Sequence, residues 1–148
     1  MIEIKDYNEL KNEGAEISLD DIVTFLHDHL DRFRDSKPDI RKALDYALSD
    51  AEGMGGFILI AREEKDIVGA LVMNETGMSG YIPENILVYV AVDASRRGKG
   101  IGGKIVREAL ERAKGDVKLH VEHDNPAKRL YERLGFTSKY AEMRYSKR

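Results

Sequence analysis

The chain is 148 residues long, 42% apolar and 34% charged, which is enough for one domain with a real core and excludes a disordered class. A net charge of −3 argues against a general nucleic-acid surface, and the lack of cysteine excludes disulfides, thiolate metal sites and a cysteine nucleophile. No run approaches the roughly 18 apolar residues of a membrane span, and Met1–Leu10 is too charged for a signal peptide, so the expectation is a cytoplasmic protein with no membrane partner.

Taken in order, Met1–Tyr7 alternates weakly and reads as a first strand. Ser18 followed by Asp21 opens a helix carrying Ile22, Val23, Leu26, Leu30 and Phe33 at helical spacing. Pro38 fits the first turn of a second helix whose apolar face runs from Ile40 to Ala51, ended by Gly53, Gly55 and Gly56. Phe57–Ala61 and Ile67–Met73 predict a hairpin around the charged loop Arg62–Asp66. Asn74–Asn85 is a long polar connection, where Met78 and Tyr81 are candidate pocket residues.

Ile86–Val92 is apolar at both parities, as a central strand with a parallel neighbour would be; strict alternation puts Ile86, Val88, Val90 and Val92 on one face. A helix follows with Ile101, Ile105, Ala109, Leu110 and Ala113 as its stripe, then a strand at Val117–Val121. Asn125-Pro126 opens a last helix that Gly135 stops, and Phe136–Tyr145 supplies one or two closing strands. The expected fold is α/β (α+β): one domain over 1–148, a mixed, mostly antiparallel central sheet with helices on both faces and one strand–helix–strand unit.

The glycine-rich turn between that strand and helix suits a phosphate, since a helix's first amides are unpaired and its dipole favours an anion. Gly98, Gly100 and Gly103 match the dinucleotide pattern G-x-G-x-x-G, but that site needs a run of strand–helix units and only one is legible. Gly98, Gly103 and Lys104 match a Walker loop, but Ile105 stands where a magnesium-binding Ser or Thr is needed. A third pattern is Arg97-x-x-Gly100-x-Gly102 after Val90-Ala91-Val92-Asp93. About 20 residues downstream follows Asn125-Pro-Ala-Lys-Arg-Leu-Tyr131-Glu-Arg-Leu-Gly135-Phe136.

These two motifs, in this order, resemble those of the GCN5-related N-acetyltransferase (GNAT) superfamily; Ala127 sits one place earlier than the commonest spacing. The resemblance implies acetyl-CoA as co-substrate and an amine acceptor: a small molecule, a peptide N-terminus or a lysine; with His27 and His29 too close in sequence to share a helix face and no other obvious ligand set, no metal site is expected. A homodimer is an allowed assembly. It implies that Arg97, Gly98, Lys99, Gly100, Ile101, Gly102 and Gly103 hold the coenzyme pyrophosphate. It further implies that Val90, Ala91 and Val92 meet the acetyl and pantetheine groups through backbone freed by a strand splay, that Asn125 touches the cofactor and that Tyr131 is the general acid.

The residues themselves bear on these roles. Glycine permits close backbone approach and positive φ, and a buried phenol seeks a partner. Periodicity alone makes Val90 and Val92 core, Asn125 a helix cap and Tyr131 a core tyrosine. An amine acceptor is protonated at pH 7, which costs about 4 kcal/mol to reverse, so a base is expected. Glu84 is the first candidate, having the parity of Val90, followed by His120 and Glu122. The alternatives are an acyl-CoA-binding module without turnover and a nucleotide-binding protein.

Overall fold

The computed structural model describes residues 1–147. Strands β1 (Ile2–Asp6), β2 (Gly56–Glu63), β3 (Asp66–Glu75), β4 (Asn85–Val92) and β5 (Val117–Leu119) lie side by side in chain order. The first three pairings are antiparallel and only β4–β5 is parallel. The β2–β3 connection is a two-residue turn at Glu64 and Lys65, with Glu64 at φ 57°. It is tighter than the expected loop because the charged strand ends stay paired, Glu63 opposite Asp66 and Arg62 opposite Glu3.

Helices α1 (Tyr7–Asn12), α2 (Leu19–His29) and α3 (Lys37–Leu48) cover one face. Leu10, Ile22, Leu26, Ile40 and Leu44 are fully buried there against Ile58, Ile60, Ala70 and Val72. Helices α4 (Ile101–Arg112) and α5 (Ala127–Arg133) cover the other, where Ile105, Val106, Ala109 and Tyr131 pack on Leu59, Ala61, Leu71 and Met73. Alternate residues of the middle strands thus feed two cores, as period-2 side chains must.

Helix starts follow local chemistry. Ser18 and Asp21 form the expected capping box, with bonds of 3.0 and 3.1 Å, and Ser36 caps α3 just ahead of Pro38. Helix α1 was missed although Asp6 and Glu9 form a box of the same kind. Helix α3 ends at Leu48, short of Ala51 and the glycines.

Two expectations need correction. Phe136–Tyr145 adds no closing strand: residues 137–147 form no regular structure, and Tyr140, Met143 and Tyr145 are exposed. With β5 only three residues long, its outer edge offers few backbone partners, and Lys139, Glu142 and Arg144 keep the segment solvated. Strict alternation along β4 also fails. Val72 pairs with Tyr89 while Met73 pairs with Leu87, so Val88 is an extra residue in a β-bulge. Leu87, Val90 and Val92 therefore pack on the α4 side, and Val88, Tyr89 and Ala91 on the α2–α3 side.

Candidate active site

The bulge and a splay open a cleft beside β4. Strand β5 pairs with Asn85, Ile86 and Leu87 and no further, leaving Val88 to Val92 without a neighbour on that side. Asn85 turns its N–H toward the β5 side, donating to the Asp116 carbonyl at 3.0 Å, whereas Asp93 donates to Val68 on the β3 side at 2.9 Å. The bulge lies between them and changes the parity. Counting back from Asp93, the N–H of Ala91 faces β3 and those of Val90 and Val92 face the open cleft.

The turn at the end of β4 is rich in free donors. Asp93 Oδ1 accepts from the Ser95 amide at 2.9 Å and its hydroxyl at 2.7 Å, which holds the Asp93 carboxyl below the usual range. Gly98 and Gly100 have φ of 82° and 81°, and a Cβ at either would meet nothing within 4 Å. Gly100 is the N-cap of α4 and offers no side chain, so the first helical bond is Lys104 N–H to the Gly100 carbonyl, at 3.1 Å. Among the described residues, the amides of Gly98 to Gly103 have no protein partner. Gly102 lets the helix approach closely, since a Cβ there would lie 3.4 Å from Leu130 and 3.6 Å from Val92.

The cations around this turn divide. Arg96 is ion-paired with Glu63. Arg97 is committed three ways, to the Val92 carbonyl at 3.3 Å, the His29 carbonyl at 2.5 Å and the Asp31 carboxylate at 2.8 Å. Lys99 and Lys104 are exposed and have no ion pair among the described residues. Sequence reading missed Arg107, whose guanidinium lies 3.5 Å from where a Gly103 Cβ would be. The signal was present: Arg107 is four residues after Gly103, so it faces the same side of α4.

Tyr131 is 8% exposed, on the apolar face of α5, with its ring edge-to-face on Phe136 at 5.7 Å. Its hydroxyl has no hydrogen-bond partner among the described residues, and burial pushes its pKa up to about 12. The phenol therefore keeps its proton throughout the neutral range. Asn125 Oδ1 accepts from the Ala127 amide at 2.9 Å, one place ahead of the Pro126 N-cap of α5 and so one position off the expected cap, and the side-chain NH2 group is left to donate elsewhere.

Glu84 stands apart from this group. It lies six residues before Val90, roughly 20 Å along an extended strand, and the bulge puts it on the opposite face from Val90. Its Oε1 accepts from the Asp116 amide at 2.8 Å, and this bond holds its pKa below the usual carboxylate range. Gly115 makes room, since a Cβ there would sit 2.6 Å from that oxygen. Glu84 also lines a small cavity with Glu75, Lys114, Met54 and Met78, away from the glycine turn; Tyr81 is 80% exposed and takes no part. His120 and Glu122 are exposed beyond the end of β5. Among the described residues, no group of three or more His, Asp or Glu could hold a metal ion, and no helix is long and apolar enough to cross a membrane.

Residues 54–138, from the β2–β3 hairpin through the glycine turn to the end of α5, match the acetyltransferase (GNAT) domain family. The chain belongs to this family. The mycothiol acetyltransferase of Brachybacterium faecium is 34% identical over 115 residues, covering 74% of this chain, and the chain spans about a third of that relative's length. A GNAT-family acetyltransferase from Streptococcus pneumoniae superposes with a TM-score of 0.69 at 21% identity, covering 100% of this chain and 99% of that one. The NatC complex bound to Gag peptide and CoA superposes with a TM-score of 0.67 at 23% identity, covering 92% and 84% of the two chains. At these identities the two structures establish the shared GNAT fold. The splayed β4–β5 pair and the glycine turn both lie within the matched residues 54–138.

Proposed function

We propose that this GNAT domain transfers an acetyl group from acetyl-CoA to a primary amine by direct attack in a ternary complex. One observation carries the reading. The cleft gathers three sets of donors that the protein leaves unpaired: the amides of Gly98 to Gly103, the amides of Val90 and Val92, and the Tyr131 hydroxyl. Donors that no protein group uses are held ready for a ligand's acceptors, with water in their place until it binds. An acyl-CoA offers a pyrophosphate, an acyl carbonyl and a thioester sulfur as partners for these three sets. The bound thioester supplies an activated acetyl group.

The residues then divide the work. The turn amides seat the pyrophosphate, aided by the exposed cations Lys99, Lys104 and Arg107, while Ile101 and Gly102 fix α4 against the sheet. The Asn125 NH2 group is free to meet the coenzyme. Val90 and Val92 N–H, with the backbone of Ala91 fixed to β3 between them, lie where charge develops on the acyl oxygen as an amine attacks. Tyr131, protonated, donates toward the departing sulfur. The acceptor amine must lose a proton, at a cost of about 4 kcal/mol at pH 7. The class of acceptor, a small amine or a peptide N-terminus or lysine, is taken from the family resemblance.

An acyl-CoA-binding module without turnover would share the turn but has no use for a partnerless, protonated Tyr131. The nucleotide readings have weaker support: the sheet holds one parallel pair where a dinucleotide crevice needs several.

Acetyl-CoA-dependent thiol release across polyamines, amino acids, aminoglycosides and peptides tests the proposal. Amine-dependent release is expected, and release that no amine accelerates would leave the binding-module reading. In the same assay Glu84→Gln should keep the wild-type pH–rate profile, because Glu84 anchors the turn before β5. Its lowered pKa contributes stability above the ordinary carboxylate pKa that is lost as pH falls through the folded value. The variant should therefore melt lower than wild type at pH 7, and the difference should shrink as pH falls below the ordinary carboxylate range. A lost rise toward basic pH would instead make Glu84 the base.

A further inference from the structure

The connector between α2 and α3 is tied to both sides of the cleft mouth. On the β4 side, His29 Nδ1 accepts from the Ala94 amide at 3.1 Å, and Arg97 reaches the His29 carbonyl and Asp31 at 2.5 and 2.8 Å. On the α5 side, Arg32 pairs with Asp124 at 2.9 Å, next to Asn125. Tyr89, beside the bulge, donates to Asp35 at 2.5 Å. One short segment thus spans from the end of β4 to the loop after β5, the two lips of the splay.

Leu30 packs against the α2–α3 core, and beyond it polar ties hold the segment. Asp31, Arg32, Arg34 and Asp35 are exposed, Phe33 is half-buried, and the Arg32–Asp124 side chains are 66% and 63% accessible. Exposed ion pairs are individually weak and screened by salt. Asp31 holds φ 54°, a left-handed conformation that costs a non-glycine residue energy and is kept only while its contacts persist. Asp31 of the segment, with the His29 and Val92 carbonyls beside it, holds Arg97, so this motif cation is turned away from the glycine amides.

We propose that residues 31–35 form a strap across the mouth of the cleft that must release before acetyl-CoA enters or leaves. The inference rests on the coenzyme reading above. Opening breaks exposed polar ties while Leu30 stays packed on its core, and it removes the Asp31 hold on Arg97.

Because the chain has no cysteine, Arg32→Cys with Asp124→Cys provides two unique thiols. A short bismaleimide would lock the strap shut, and capping the same variant with N-ethylmaleimide is the control. Stopped-flow binding of acetyl-CoA should be at least ten-fold slower when linked, with the capped control at or above the wild-type rate. Separately, Arg32→Asp should speed both association and dissociation, and adding Asp124→Arg should restore both. Linked protein that binds within two-fold of the capped control overturns the strap and leaves the coenzyme reading standing. If wild type and capped control both fail to bind acetyl-CoA, the coenzyme reading falls and the strap with it.

Discussion

Tyr131→Phe should lower kcat by about 100-fold or more while leaving acetyl-CoA affinity within about two-fold and the melting temperature unchanged. Two roles for this phenol predict different stability effects. A core tyrosine bonded to a carbonyl would lose about 1 kcal/mol with its hydroxyl. Here the hydroxyl has no partner among the described residues while the side chain is 8% exposed. Its oxygen is not among the buried atoms that lack a partner, so it meets solvent in the cleft, and removing it should leave folding unchanged. Activity should suffer, because the departing thiolate loses its proton donor. Burial raises the phenol's pKa to about 12, so its ionisation should not appear in the pH–rate profile below about pH 11. The linkage sign is fixed by the same shift. Above pH 10 the unfolded chain releases this proton and the folded chain does not, so Tyr131 costs stability as pH rises from 10 to 12. Steady-state kinetics, calorimetric titration and thermal melts on one preparation check all of this. Unchanged kcat rejects the acid role; a lowered melting point assigns the hydroxyl to the core.

Gly56→Ala should cost about 3 kcal/mol or more, or prevent folding. Gly56 has φ 146° and begins β2 opposite Asn74, and a Cβ there would overlap the Met73 carbonyl. That atom is backbone in the β2–β3 pairing, so it cannot yield without shifting the register of two strands that feed both cores. Gly80→Ala provides the scale: at φ 78° with nothing within 4 Å, it should cost only the 1–2 kcal/mol of left-handed backbone. Urea denaturation separates the two. Equal midpoints would mean that the hairpin start adapts, contrary to the packing described.

The sequence carried the fold where local chemistry and long-range packing agree. Ser18 with Asp21, Pro38 after Ser36 and Asn125 before Pro126 each mark a helix start that is realised. The two-sided apolar run at Ile86–Val92 marked the strand with a parallel neighbour. What was hidden depends on pairing between distant residues. The bulge at Val88 exists only in register with Val72 and Met73, and it moved Glu84 to the face opposite Val90, undoing the parity argument for a base there. Arg97 is legible as a motif cation, but its occupation by His29 and Asp31, 68 and 66 residues away, is a tertiary fact. The closing strands failed for the same kind of reason, because a strand needs an edge to join and β5 is short.

The central claim is that this cleft holds acetyl-CoA, and a thermal-shift titration tests it most directly. At 100 times its dissociation constant a ligand stabilises the fold by about 2.7 kcal/mol, a rise of several degrees for a domain of this size. Acetyl-CoA should produce that rise, and NAD and ATP at the same concentration should not. Stabilisation by NAD or ATP without any by acetyl-CoA would contradict the account.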